Sequence, residues 1–163
     1  GNDVDEAIID YIKREYNMMV GERTAEDIKI RIGCVYDFGE EEFMEVRGRD
    51  LINGLPCTVT IGSTEIRQAL KDPAQAIVQA VKQTLEITPP ELSGDIVESG
   101  VTLSGGTAQL RGLDLLLASE TGMPVHVAEN PMDCVVTGAC IALEELNGIR
   151  RQAQLGSASM ENM

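Results

Sequence analysis

The chain has 163 residues, 43% hydrophobic and 25% charged, enough for one compact globular domain or two small lobes. Only 3% are aromatic and none is Trp, so the core must be built from Ile, Leu, Val, Ala and Met. A formal net charge of -14 repels phosphate backbones and anionic lipid, which excludes general nucleic-acid binding and any membrane attachment not driven by a local basic or apolar patch.

The first predicted element is a helix over 3–19. Val4, Ala7, Ile8, Tyr11, Ile12 and Met19 recur at three- and four-residue steps and make one apolar stripe. Gly21 ends it. Thr24 is expected to cap a second helix through Ile32, with Glu26 and Asp27 favouring its positive start. Gly33 closes that helix. Phe43 to Arg47 and Thr58 to Ile61 read as neighbouring strands joined by a turn region, Gly48 to Pro56, that holds Asn53-Gly54. Ser63 is expected to cap a short helix over 64–70, and Pro73 lies where a helix restarts. Ala76, Ile77, Ala80, Val81, Thr84 and Leu85 are the predicted buried face of that helix. Pro89-Pro90 breaks it, and Pro90 suits the first turn of another short helix reaching Ile96.

The final third changes character. Gly100 to Ser104 is a short apolar strand, followed by Gly105-Gly106 and a helix predicted over 107–121 with Leu110, Leu113 and Leu117 inward. Val125 to Ala128 is another strand, and Asn130-Pro131 opens a helix through Leu146. Strand–helix–strand–helix is the order of a parallel α/β layer. The expected organisation is therefore a mixed helix and hairpin lobe over 1–72, an α/β lobe over 73–147 and a polar, disordered tail over 148–163.

Cys34, Cys57, Cys134 and Cys140 form no C-x-x-C pair and read as four reduced, buried cysteines of a cytosolic protein. No apolar run approaches the roughly 20 residues that span a bilayer. The chain opens on Gly1 rather than Met, as expected of a processed chain or a piece of a longer one.

Few residues point to chemistry. Leu103-Ser104-Gly105-Gly106-Thr107-Ala108 lies between a strand and a helix. Its glycines admit a ligand or another backbone closely, and a following helix start offers free N–H groups; a tight structural turn explains the same pair. Glu26 and Lys29 share a helix face. A carboxylate there can accept from ribose hydroxyls and a lysine stem can pack along a base, or the two form an exposed ion pair worth a few tenths of a kcal/mol. His126, the only histidine, has no partners for a catalytic set, and Glu40-Glu41-Glu42 reads as a solvated turn. The G-x-x-x-x-G-K-[ST], G-x-G-x-x-G and H-E-x-x-H patterns are absent. No catalytic residue and no metal ligand is assigned.

Taken together the motifs resemble a known family. Gly1-Asn2-Asp3-Val4-Asp5-Glu6-Ala7-Ile8 is similar to the G-G-D-x-x-D-E-A-I segment of the MreB family of bacterial actin-like proteins. Gly21-Glu22-Arg23-Thr24-Ala25-Glu26-Asp27-Ile28-Lys29 is similar to its G-E-x-T-A-E-x-I-K helix. Pro89-Pro90-Glu91-Leu92 with Asp95-Ile96, Leu103-Ser104-Gly105-Gly106 with Leu110-Arg111-Gly112-Leu113, and Ala128-Glu129-Asn130-Pro131 keep the register across nearly the whole chain except the tail. Two departures stand out. Thr107 occupies the place of a third glycine, and Gly1-Asn2 stands in for a paired glycine.

The resemblance implies an actin-like ATPase fold, second half only: the small outer lobe plus part of the larger inner α/β lobe. It implies ATP as cofactor, with Glu26 and Lys29 flanking the adenosine and Gly105, Gly106, Thr107 and Ala108 forming the wall against base and ribose. The phosphate loops, magnesium ligands, catalytic acid and membrane-attaching segment of the family are expected before Gly1. The parent would then be a cytoplasmic, membrane-associated filament protein that sets rod-like cell shape, with itself and cell-wall synthesis proteins as partners. A chaperone or sugar-kinase ATPase fragment and a nucleotide-free interaction scaffold are the rival expectations.

Overall fold

The computed structural model of the chain describes residues 1–146. Helix α1 (Asn2–Tyr16) buries Val4, Ile8, Tyr11 and Ile12, the stripe that periodicity predicts. It stops earlier than expected. Asn17 adopts a left-handed conformation at φ 48°, which asparagine tolerates better than most residues, and this turns the chain into strand β1 (Met18–Met19). Met19 thus belongs to a sheet edge rather than the helix.

Helix α2 (Glu22–Ile32) begins before Thr24. Gly21 is its extended N-cap, and the Ala25 N–H donates to the Gly21 carbonyl at 3.1 Å, so Thr24 lies within the first turn. Strands β2 (Phe43–Asp50) and β3 (Pro56–Gly62) form the antiparallel hairpin, longer than the sequence suggests at both ends. β1 pairs antiparallel with the far end of β2, giving the order β1-β2-β3. The connecting turn is closed by Asp50, whose carboxylate accepts from the Ile52 and Asn53 N–H groups at 2.7 and 3.2 Å.

Helix α3 (Ser63–Ala69) starts at Ser63 itself. The Glu65 carboxylate accepts from the Gly62 N–H at 2.9 Å, while the buried Ser63 hydroxyl accepts from the Glu42 N–H at 3.0 Å. Ser63 therefore ties the helix to the hairpin instead of capping it. Helix α4 (Lys71–Glu86) carries Pro73 in its first turn, where the ring is tolerated. It buries Ala74 and Val78, with Ile77, Val81 and Leu85 partly covered; Ala76, Ala80 and Thr84, predicted inward, face outward. The larger aliphatics take the face that packs on the core and leave the small residues to solvent.

Helix α5 (Pro90–Ser99) has Pro90 at its start and buries no residue. Strand β4 (Val101–Leu103) pairs in parallel with β5 (Val125–Val127). Between them lie a one-turn 3-10 segment (Gly106–Gln109) and helix α6 (Leu113–Thr121). The single helix predicted over 107–121 is thus interrupted. Gly112 is left-handed at φ +78° and starts α6, with Leu113 and Leu117 inward. A last helix, α7, covers 134–146 after a turn at 131–133. The predicted tail lies outside the described residues.

One apolar cluster connects these elements. It runs from Val4, Ile8 and Ile12 through Ile28, Val46, Ile61, Ile66, Leu70 and Val78 to Leu113 and Leu117. Aliphatic burial carries it, as the scarcity of aromatics requires, at about 25 cal/mol per Å² of apolar surface removed from water. The segment after α2 stitches the hairpin side to α6: Cys34 bridges Arg111 in parallel, and the Val35 N–H donates to the Arg111 carbonyl at 3.0 Å. Of the four cysteines expected to be buried, Cys34 is, while Cys57 and Cys134 are half-buried and Cys140 is exposed on α7. Burial raises the Cys34 thiol above its ordinary pKa and keeps it in the neutral form.

A candidate nucleotide cleft

A cavity of about 490 Å³ opens between the start of α1 and the middle and end of α2 on one side and the turn after β4 on the other. That volume lies within the range of small-molecule sites, about 300–1,000 Å³. Its first wall holds Gly1, Asn2, Val4 and Asp5 from the start of α1 and Glu26, Lys29, Ile30 and Gly33 from α2. Gly106, Thr107, Gln109, Leu110 and Arg111 make the opposite wall, and Met132 stands at the edge.

Local folding explains this placement. Lys29 and Ile30 lie three and four residues after Glu26, so all three point to the side of α2 away from the core residues Ala25, Ile28 and Ile32. The glycine turn is held from behind. The Gly105 N–H donates to the Pro131 carbonyl at 2.6 Å, and Gly105 takes φ +84°, a conformation that favours glycine. A Cβ on Gly106 would come within 3.2 Å of the Met132 sulfur, so glycine keeps this wall open.

Of the residues singled out in the sequence, Glu26, Lys29, Gly106 and Thr107 line the cavity together. Gly105 and Ala108 belong to the same turn but do not line it; Ala108 is buried behind the wall. The turn also leads into a four-residue 3-10 segment rather than a long helix, so the free N–H groups and dipole of a full helix start are not available there. Asp5, Ile30, Arg111 and Met132 were not legible as lining residues. Each comes from a different part of the chain, and only the fold brings them together.

Both cations in the cleft are engaged. The Lys29 ammonium lies 2.9 Å from Asp5 Oδ1, reaching across from α2 to α1. Arg111 Nη1 lies 2.5 Å from Glu42 Oε2, with its guanidinium 5.7 Å from the centre of the Phe38 ring. Glu26, by contrast, is exposed and forms no ion pair or hydrogen bond among the described residues. The cavity therefore presents an uncommitted hydroxyl acceptor, apolar surface from Ile30, Leu110 and Met132, and a close-approach backbone, but among the described residues no uncommitted cationic side chain. That combination suits a nucleoside better than a polyphosphate. No group of three or more potential metal ligands occurs among the described residues.

The MreB/Mbl protein family model matches residues 1–151. The chain is 52% identical to the cell shape-determining protein Mbl of Bacillus cereus over 94% of its own length and 46% of the relative's. It is 50% identical to the cell shape-determining protein MreB of Escherichia coli, covering 90% of this chain and 42% of that protein. Its fold superimposes on the crystal structure of MreB 5 of Spiroplasma citri bound to AMPPNP with a TM-score of 0.88 and 36% identity, over 93% of this chain and 46% of that one. The chain thus spans about half the length of the relatives it matches and has a partial actin-like fold. On these matches, the chain belongs to the MreB/Mbl family.

Proposed function

We propose that this chain is the adenosine-holding part of an ATP-binding, filament-forming cytoskeletal protein that maintains rod-like cell shape. The observation that carries the reading is the cavity in which Glu26 and Lys29 face Gly106 and Thr107. Glu26 accepts from the ribose hydroxyls, the Lys29 stem and Ile30 pack along the base, and the glycine turn with Thr107 lets the nucleoside approach. Gly105 and Ala108 shape that turn from behind. A solved relative bound to AMPPNP, a nucleotide analogue, supports the same ligand class. Residues 1–72 act as the outer lobe and 73–147 as the inner one.

The phosphates and magnesium are held by residues outside this chain, consistent with a cleft whose cations are already paired. Its own residues bind and orient the nucleoside; hydrolysis is assigned to none of them. A micromolar ligand corresponds to about 8 kcal/mol, and half of that leaves millimolar binding. The parent works in the cytoplasm at the membrane, with itself in head-to-tail register and cell-wall synthesis proteins as partners. Among the described residues no helix is long and apolar enough to cross a membrane. The family match favours this reading over a chaperone or sugar-kinase fragment.

Titration of the ¹⁵N-labelled chain with ADP tests it. Millimolar ADP is expected to shift the amides of Glu26, Lys29, Gly106 and Thr107. Saturable shifts elsewhere, or none up to about ten times the millimolar range, would refute nucleotide binding and leave an interaction scaffold as the better account. Self-association is tested by sedimentation velocity over a concentration series, where a strictly monomeric chain would count against it.

A further inference from the structure

Lys29 has two carboxylates to choose between. Glu26 lies three residues earlier on the same helix, and Asp5 projects from the first turn of α1. Lys29 takes Asp5. Its ammonium is 2.9 Å from Oδ1 and 3.1 Å from Oδ2, and only the second contact is aligned as a hydrogen bond. Oδ1 is buried with no other partner. The two side chains are 21% and 18% exposed, so their attraction is screened less than that of a surface pair. An exposed i,i+3 pair with Glu26 would gain only a few tenths of a kcal/mol. The result is a cleft in which one carboxylate is neutralised and the other is left open.

We propose that Asp5 is a positioning residue: by holding Lys29, it keeps the Glu26 carboxylate uncapped for the hydroxyls of a bound nucleoside. The inference rests on the nucleotide reading above and specifies how the site recognises a ribose. Without the Asp5 charge, Glu26, three residues back on the same helix, is a carboxylate within reach of Lys29. An ammonium seated there competes directly with the ligand hydroxyls for the same oxygens. Asp5 lines the cleft beside Lys29, and its role is to hold that ammonium rather than to bond the ligand hydroxyls.

The test compares ADP with 2′,3′-dideoxy-ADP, titrated by NMR into the full chain and into Asp5→Asn, Lys29→Met and the double variant. Met keeps the aliphatic stem of Lys29 and removes its charge. The parent chain is expected to prefer ADP by about tenfold, or 1.4 kcal/mol. Asp5→Asn should bring that ratio close to one while leaving the dideoxy affinity unchanged. Adding Lys29→Met should restore the ratio, because Glu26 is then free again. A preference that survives Asp5→Asn, or that the double variant fails to regain, overturns the role of Asp5. A parallel loss for both ligands marks Asp5 as merely structural, and the amide spectra show whether each variant folds. ADP failing to bind the parent chain overturns the nucleotide reading and this inference with it. Binding with an unaltered ratio overturns only the inference.

Discussion

The stitch between the hairpin side and α6 depends on a close approach at Gly112, and a pair of substitutions measures it. Gly112 and Gly122 flank α6 with nearly the same backbone, φ 78° and ψ 10° against φ 70° and ψ 9°. An alanine at either site pays the left-handed penalty of about 1–2 kcal/mol, partly offset by the smaller entropy of its unfolded chain. The surroundings differ. A Cβ at Gly122 meets nothing within 4 Å, whereas one at Gly112 would lie 2.5 Å from Tyr36 Cβ and 3.2 Å from Phe38 Cζ. Apolar carbons rest at about 3.5–4.0 Å, so the Tyr36 segment must retreat by roughly 1 Å. Forced overpacking of that kind costs about 1–3 kcal/mol. Gly122→Ala should therefore destabilise by about 1–2 kcal/mol and Gly112→Ala by about 2–5 kcal/mol. Urea unfolding followed by circular dichroism reads both, with unchanged m-values. Equal losses, within about 0.5 kcal/mol, would refute the reasoning, since Gly112 caps the start of α6 and Gly122 its end with matching backbone angles, and the close contact with Tyr36 and Phe38 is made at Gly112 alone.

Tyr16 gives a pH prediction. Its hydroxyl donates to Glu65 Oε1 at 2.6 Å; that bond, with partial burial and the Glu65 charge, pushes the phenol up to about 12 from an ordinary 10.0. The fold favours the neutral phenol, so this stabilisation is full below pH 10 and is lost as pH rises through 12. Tyr11 is also shifted upward by burial and the Glu65 charge, so absorbance titration should show a latest-titrating tyrosine that Tyr16→Phe removes, together with a flatter alkaline limb of stability; an unaltered titration would contradict it. Ile66→Ala, at a fully buried site, should cost about 2–5 kcal/mol in urea unfolding. Ile87→Ala, at 83% exposure, should stay within about 0.5 kcal/mol, and a larger loss there would mean the residue is covered in solution. Asp50→Ala removes an acceptor shared by two turn N–H groups and should cost about 1 kcal/mol.

Where the sequence was legible, one local rule dominated. The α1 stripe and the hairpin alternation are single-period patterns with no competitor. Where two options were nearly equal, tertiary packing decided. Helix α4 is apolar on more than one side, so periodicity alone could not choose between the Ala76–Ala80 face and the Ala74–Val78 face; the bulk of Ile77 and Val81 chose. The end of α1 turned on Asn17, whose left-handed conformation is visible only once β1 has β2 to pair with. The break between the 3-10 segment and α6 sits at Arg111-Gly112, where the pairing with Cys34 and Val35 takes the backbone out of helical register. The candidate site divides in the same way. Glu26, Lys29 and the glycine turn carry local signals, whereas Asp5 and Arg111 enter through contacts between distant segments.

The pairing pattern in the cleft also bears on how the ligand's charge is handled. In a chain of net charge -14, a nucleotide's phosphates meet an unfavourable field wherever no cation answers them. Lys29 and Arg111 are the cationic side chains lining the cleft, and each is already matched to a carboxylate. Using Lys29 for phosphate would strand Asp5, and the loss of a partner from that partly buried pair cancels much of the gain, while Arg111 is held to Glu42 and over the Phe38 ring in a more exposed pair. Under the proposed nucleotide reading, selection on this wall acts through the neutral parts of the ligand, base and ribose. Adenosine and ADP should accordingly bind this chain with similar affinity, within about threefold, or 0.7 kcal/mol. A clear preference for ADP that falls steeply with added salt would refute the argument, because it would require a cation in the cleft that is free to meet phosphate.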